Sequence, residues 1–171
     1  MYRQEKQGSG IFIKILSAAG GIIAGFLVCR LFFMPFRVTD SSMEPNLKPG
    51  DTAIILKHGA PKRGDIVLIE SPVEPGRMLA GRVAAMEGDT VEIRDKVILV
   101  NNIRLRFPWK TKSSDRRVFP MNFSFRDNMP AVKLTRNHYF ILGDNMDGGY
   151  DSRTLGAIPG DCVIGRVIYR Y

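Results

Sequence analysis

Apolar residues along this 171-residue chain fall into two regimes. From Ile11 to Phe36 they run almost unbroken, with only Lys14 and Arg30 charged and 15 uncharged residues between those two. A helix of roughly 20 residues crosses about 30 Å of hydrocarbon, and long cationic side chains near its ends snorkel to the interface. The segment therefore predicts one retained membrane-spanning helix. A cleaved leader would need small residues ahead of its cleavage point, and Val28-Cys29-Arg30-Leu31-Phe32-Phe33 offers none. A lipoprotein site is disfavoured for the same reason, because branched Val28 precedes Cys29. The flanking cations, Arg3, Lys6 and Lys14 against Arg30, Arg37 and Lys48, are too even to orient the span.

Beyond the anchor the pattern changes to short alternating or β-branched runs: Thr52 to Leu56, Asp65 to Glu70, Met78 to Met86, Thr90 to Ile93, Lys96 to Val100, His138 to Gly143 and Cys162 to Tyr169. Turn residues separate them, as in Pro61-Lys62-Arg63-Gly64-Asp65, Glu74-Pro75-Gly76 and Pro159-Gly160-Asp161. This is the signature of a mainly β domain with short connections. The stretch from Phe107 to Asn137 lacks such a pattern and reads as a long loop or extended hairpin. The organisation expected is a terminus at 1–10, an anchor at 11–36 and one β domain at 37–171, about 135 residues and enough for a single core.

Charge narrows the partners. A net charge of +8 suits either nucleic acid or an anionic membrane surface, and the anchor decides for the membrane over nucleic acid. Arg104, Arg106, Lys110, Lys112, Arg116 and Arg117 interleave with Phe107 and Trp109, a composition that suits a headgroup interface, with the indole N–H wet, as well as a solvated basic loop. Cys29 and Cys162 lie in different environments and read as packing residues, not as a disulfide. No His, Cys or acidic residues share a ligand spacing, so neither a metal nor another cofactor is expected.

Three segments carry candidate chemistry: Asp40-Ser41-Ser42-Met43-Glu44-Pro45, then Gly81-Arg82-Val83-Ala84-Ala85-Met86-Glu87-Gly88-Asp89, then the run from Gly143 through Asp144, Asn145 and Met146 to Tyr150-Asp151-Ser152-Arg153. Their order and spacing resemble the bacterial type I signal peptidases, whose blocks read S-x-M-x-P, K-R-V-x-G-x-P-G-D and G-D-N-R-D-N-S-x-D-S-R. Gly64-Asp65-Ile66-Val67 and Lys96-Val97-Ile98-Leu99-Val100-Asn101 extend the likeness over nearly the whole chain. The resemblance implies coiled antiparallel sheets behind one transmembrane helix, the N-terminus in the cytoplasm, and the β domain outside the plasma membrane. It implies a serine endopeptidase that removes signal peptides from exported preproteins after Ala-x-Ala, with Ser42 as nucleophile and Met43 packed beneath it. Pro45, Arg82, Asp144, Asp151 and Arg153 match residues that brace the site, Arg82 pairing with Asp144.

The resemblance also places a glycine, Gly81, where the family carries its general-base lysine, and Gly149 where the family carries the serine that holds that lysine. The neighbouring Arg82 stays protonated and has no lone pair, so it cannot replace a neutral amine. Asp40 stands where many members have an oxyanion-donating hydroxyl; a carboxylate there either repels the oxyanion or serves as an unconventional base. His58 and His138 do not align with residue 81. Substrate is expected as a strand added along Leu79 to Met86, with Met43, Leu79, Val83 and Ala85 shaping small apolar pockets. Three readings follow: a peptidase with a replacement base or slow water-assisted attack, a membrane protein without turnover that binds extended peptides or partners an active paralogue, and a basic membrane-surface or nucleic-acid protein that shares only the fold. The secretion machinery is a further expected partner.

Overall fold

The computed structural model of the chain describes residues 6–148 and 150–171, with side chains from Phe12 onward. Helix α1 spans Lys6–Phe32, and Phe12–Phe32, 21 residues, is long and apolar enough to cross a membrane. The helix stops before the apolar run does. Phe33–Arg37 forms strand β1, so the last four residues of the expected anchor, 33–36, belong to the sheet. Pro35 explains the change, because its ring removes an N–H, clashes with the preceding turn and steers its predecessor toward extended backbone. The helix end is tied directly to the domain: Lys57 N–H donates to the Phe32 carbonyl at 2.9 Å and Lys57 Nζ to the Arg30 carbonyl at 3.1 Å. Those are carbonyls that a final helical turn leaves open.

The described strands after β1 are β2 (Thr52–Leu56), β3 (Ile66–Glu70), β4 (Met78–Met86), β5 (Thr90–Arg94), β6 (Val97–Val100), β7 (Ile103–Arg104), β8 (Met129–Lys133), β9 (His138–Leu142), β10 (Ile158–Pro159) and β11 (Val163–Arg170), with a short helix α2 at Ser152–Leu155. They build two antiparallel sheets, ordered β1-β2-β11-β3-β4-β9-β10 and β7-β6-β5-β8. The domain is thus mainly β, a curled antiparallel sheet preceded by one apolar helix.

Four edge strands escaped the alternation pattern: β7 and β10, of two residues each, and the longer β1 and β8, which both contain proline. Pro35 lies in β1 and Pro130 in β8, each at the edge of its sheet, where a missing N–H breaks no ladder. β8 places part of the expected 107–137 loop inside the smaller sheet, paired with β5. The rest of that stretch is held by charge: Arg126 pairs with Asp115 at 3.0 Å and with Asp127 at 2.8 Å.

Four apolar clusters form the core. Val67, Ile69, Leu79, Val83, Ile141 and Ile158 fill one face of the β3-β4-β9 region. Ala84, Ala85, Phe140 and Leu142 join Val91, Ile93, Ile98 and Val100 where the two sheets meet. A smaller cluster of Val38, Met43 and Leu47 packs against Ala80, and its place under residues 38–47 is what fixes the segment carrying Ser42.

Candidate active site

Strand β4 changes partners halfway along. Met78 to Arg82 pair with β3, whereas Arg82 to Met86 pair with β9, with a register shift between Val83 and Ala85. Residues 78–81 therefore have a ladder on one side only. The Ser71 N–H to Arg77 carbonyl bond and the Val83 N–H to Asp65 carbonyl bond fix the alternation, so Met78 and Ala80 turn their N–H and C=O groups away from β3. This is an open sheet edge of about two residue pairs.

Ser42 sits across from that edge. A cavity of about 230 Å³ is lined on one wall by Asp40, Ser41 and Ser42 and on the other by Arg77, Leu79 and Ala80, with Asn145, Gly148 and Tyr150 closing it. The Ser42 segment is pinned from below and behind. Met43 is fully buried beneath it, Asn145 N–H donates to the Ser42 carbonyl at 2.8 Å, and Asn145 Nδ2 donates to the Ser41 carbonyl at 3.2 Å. Gly143 lets this happen, since a Cβ there would lie 2.7 Å from the Ser42 carbonyl oxygen. Asp40 Oδ1 accepts the Ser42 N–H at 2.9 Å. Pro45 follows on the exposed turn, after a cis Glu44–Pro45 peptide.

Of the residues expected to brace the site, the structure brings Arg82, Asp144, Asp151 and Arg153 together behind it, with Pro45 apart on the exposed turn. Arg82 Nε and Nη2 donate to the two Asp144 oxygens at 2.8 and 2.7 Å, and Nη1 donates to the Gly64 carbonyl. Asp144 also accepts from Asn46 Nδ2 at 2.8 Å. Asp151 caps α2 and takes the Gly143 N–H at 2.9 Å, while Arg153 grips Asp151 and donates to the carbonyls of Met146 and Gly148. Two buried ion pairs thus lock the 143–153 loop against β4 and against the Ser42 turn. Their geometry is the doubly hydrogen-bonded arginine–carboxylate fork, the form in which a buried pair offsets its desolvation best.

Other expectations need correcting. Val83 and Ala85 are fully buried, and β9 covers their half of β4, so the accessible edge is 78–81 instead of 79–86. Leu79 and Ala80 reach the cavity; Val83 and Ala85 are core. Trp109 is not turned to solvent through its N–H: its ring lies over the Arg82 guanidinium at 4.6 Å and its Nε1 is buried without a partner among the described residues. The cation beneath the ring holds it there.

The base position is the most informative part. On Gly81 an ideal Cβ would fall 2.4 Å from Ile141 Cγ2 and 3.4 Å from the Leu142 carbonyl oxygen. The room a side chain at 81 would use is filled by the buried Ile141. Gly149 lies outside the described residues. Among the described residues, no lysine or histidine lines the Ser42 cavity, and no group of His, Cys, Asp and Glu could hold a metal. His58 packs on the Phe32 ring at the helix end, and His138 bonds to Thr135 and the Arg136 carbonyl; neither lines the cavity.

A cluster that the sequence did not reveal closes the cavity at one end. Arg77 donates to both Glu74 oxygens at 3.0 and 2.8 Å, Tyr150 Oη donates to Glu74, and the Arg77 guanidinium stacks 4.1 Å from the Tyr150 ring centroid. The hydrogen bond from Tyr150, then that from Arg77, holds the Glu74 carboxyl below its ordinary range, and the bond to Glu74 raises the Tyr150 hydroxyl. Only the spacing of Glu74 and Arg77 at i and i+3 hinted at the pair; Tyr150 arrives from a loop 76 residues away.

Comparison with known proteins identifies the family. Residues 11–171 match the family model described as signal peptidase, peptidase S26. The chain is 29% identical over 163 residues to signal peptidase I T of Bacillus subtilis, covering 92% of this chain and 80% of that protein. It is 28% identical over 149 residues to signal peptidase I of Bacillus licheniformis, covering 84% and 79%. The crystal structure of a signal peptidase I from Enterococcus faecalis superposes with a TM-score of 0.49 at 25% identity, over 65% of this chain and 98% of that one. With a match over nearly its whole length, the chain belongs to the signal peptidase family, peptidase S26.

Proposed function

We propose that this protein is a membrane-tethered member of the family that receives the processing region of exported preproteins as an added strand, without Ser/Lys chemistry. Peptide backbone would pair with the free N–H and C=O groups of Met78 and Ala80, with Leu79 shaping the pocket and Ser42 opposite, the mode in which main-chain bonds supply affinity and alternate side chains supply selectivity. The observation that carries the reading is Ile141 in the space beside Gly81. A serine hydroxyl is a poor nucleophile unless a base lies within hydrogen-bond reach, and this packing leaves no room for one at that position.

Helix α1 would hold the domain at the outer face of the plasma membrane, with the N-terminus in the cytoplasm. Substrates would reach it from the secretion machinery, and an active paralogue would complete the cleavage. The Ala-x-Ala preference of the family would apply to what is bound.

A second reading has one observation in its favour. Ser42 is intact, and the Asp40 carboxylate already touches its N–H, so a slow peptidase using Asp40 as base fits the same cleft.

The test of the proposal is binding of a fluorescent Ala-x-Ala peptide to the full chain in detergent micelles. Saturable binding should fall at least tenfold when the peptide nitrogens facing Met78 and Ala80 are N-methylated. Binding that is indifferent to N-methylation at every position would overturn the added-strand reading.

A further inference from the structure

A second cavity, of about 420 Å³, opens at the smaller sheet and shares no wall residue with the one beside Ser42. It lies between β6 and the strap of chain that follows β7. Leu105 anchors the strap: its N–H donates to the Ile98 carbonyl at 2.8 Å, and its side chain packs against the core. Its two neighbours, Arg104 and Arg106, are exposed and both border the cavity. Neither guanidinium has a hydrogen bond or a carboxylate partner among the described residues. Lys96 borders the cavity as well, but its ammonium is already shared between the Asp115 carbonyl at 2.6 Å and the Asp127 carboxylate at 3.6 Å. No aspartate or glutamate is among the described residues that line the space, so the uncompensated charge there is that of the two arginines. Much of the remaining wall is aromatic. Phe107 and Trp109 meet edge to face with centroids 5.5 Å apart, and the Arg82 guanidinium, 4.6 Å from the Trp109 ring, holds the indole from the other side.

The geometry points to a binding site for a phosphate monoester carried on an apolar body, a chemistry supplied either by a lipid headgroup or by a soluble phosphate ester. A terminal phosphate brings three acceptor oxygens and a charge of about −1.5 to −2 at neutral pH, which two unpaired guanidinium forks can share. A carboxylate brings one charge and two oxygens, enough for one fork only. A bare inorganic anion leaves the Phe107 and Trp109 surfaces in water, whereas an alkyl or acyl body attached to the phosphate covers them. An alkylammonium is repelled by both arginines. The site is separate from the Ser42 cleft, so it does not depend on the peptide-holding reading.

Trp109 is the only tryptophan in the chain, so its fluorescence reports this cavity directly. The full chain in neutral detergent micelles is titrated with hexyl phosphate, inorganic phosphate, hexanoate and hexylamine, at a pH above the second phosphate pKa of about 6. Hexyl phosphate should give a saturable change and bind about tenfold more tightly than inorganic phosphate, because each methylene laid on apolar surface is worth about a factor of four. It should also bind about tenfold more tightly than hexanoate, which engages one guanidinium instead of two, and hexylamine should give no change. Arg104→Gln with Arg106→Gln should weaken hexyl phosphate about tenfold or more. Both side chains are exposed, so that variant should keep the wild-type unfolding midpoint. Nanodiscs separate the two sources. A Trp109 change with phosphatidic acid but not with phosphatidylcholine, lost in the arginine variant, assigns a lipid headgroup; silence in both, with the hexyl phosphate response intact, assigns a soluble ester. No saturable response to hexyl phosphate, an equal response to hexanoate, or a response that survives in the arginine variant would overturn the site.

Discussion

Adding a single methyl group at position 81 tests whether Ile141 has closed the space of the family's base. In Gly81→Ala the new Cβ lies 2.4 Å from Ile141 Cγ2, against a carbon–carbon optimum of about 3.5–4.0 Å. Ile141 is 1% exposed and packed among Val67, Leu79 and Val83, so its methyl has little room to retreat. Overpacking of this kind costs about 1–3 kcal/mol, and the backbone entropy gained by replacing glycine returns roughly 0.5–1 kcal/mol. The net loss, about 0–2.5 kcal/mol, should lower the midpoint of thermal unfolding by up to roughly 10 °C. Ile141→Ala alone should cost about 2–5 kcal/mol through the cavity it leaves. In the double variant the alanine methyl enters that cavity, so the two losses should sum to less than their parts by about 1–2 kcal/mol. The assay is unfolding of the full chain in detergent followed by near-ultraviolet circular dichroism across the four proteins of the cycle. A Gly81→Ala protein as stable as wild type, with no coupling to Ile141, would refute the packing argument. The same logic predicts that Gly81→Lys with Gly149→Ser gains cleavage only when Ile141→Ala is added, measured as preprotein turnover.

Further outcomes follow from the bracing residues and the acidic network. Asp144→Asn leaves the Arg82 guanidinium, almost fully buried, without its counter-charge and should destabilise the domain by about 3–5 kcal/mol in denaturant unfolding. Gly143→Ala sets a Cβ 2.7 Å from a backbone oxygen of Ser42, which cannot swing aside, so it should abolish binding of the fluorescent peptide while α1 keeps its helical signal. Glu44→Gln breaks the half-exposed Lys112–Glu44 pair at 2.7 Å and should change stability by less than about 1 kcal/mol. In Asp89 burial opposes ionisation, but hydrogen bonds from the Met86 N–H, Asn101 and Arg63 outweigh it; in Asp127 burial is outweighed by Arg126 and the Phe119 N–H. Both folded-state pKa values are lowered, so their contribution is present above the unfolded value of about 3.9 and is lost as pH falls through the folded values. Unfolding midpoints should be level above about pH 5 and drop below about pH 4; a drop beginning near pH 6.5 would point to histidine instead.

Much of the fold was legible because alternation and turn chemistry agree along the chain. Residues 52–56 and 78–86 form strands over the ranges their patterns predict. β1 and β8 were hidden because each holds a proline, and proline argues against a strand until the sheet order reveals an edge. The bracing pairs were legible only through the likeness to a known family: nothing in the spacing of Arg82 and Asp144, 62 residues apart, fixes their contact. The open edge was misjudged at Val83 and Ala85, since one sequence cannot say where a strand exchanges one neighbour for another. The Glu74–Arg77–Tyr150 clamp and the filling of position 81 by Ile141 are tertiary facts, invisible to periodicity because both depend on side chains meeting from separate elements.

The most direct test of the account is turnover itself. Full-length protein in detergent micelles is incubated with an Ala-x-Ala preprotein at saturating concentration, and product is counted by mass spectrometry for wild type and Ser42→Ala. The account predicts that both bind the preprotein and that wild type releases no more product than Ser42→Ala. Cleavage after Ala-x-Ala by wild type that disappears in Ser42→Ala would contradict it, and would make Asp40 the first residue to test as the base.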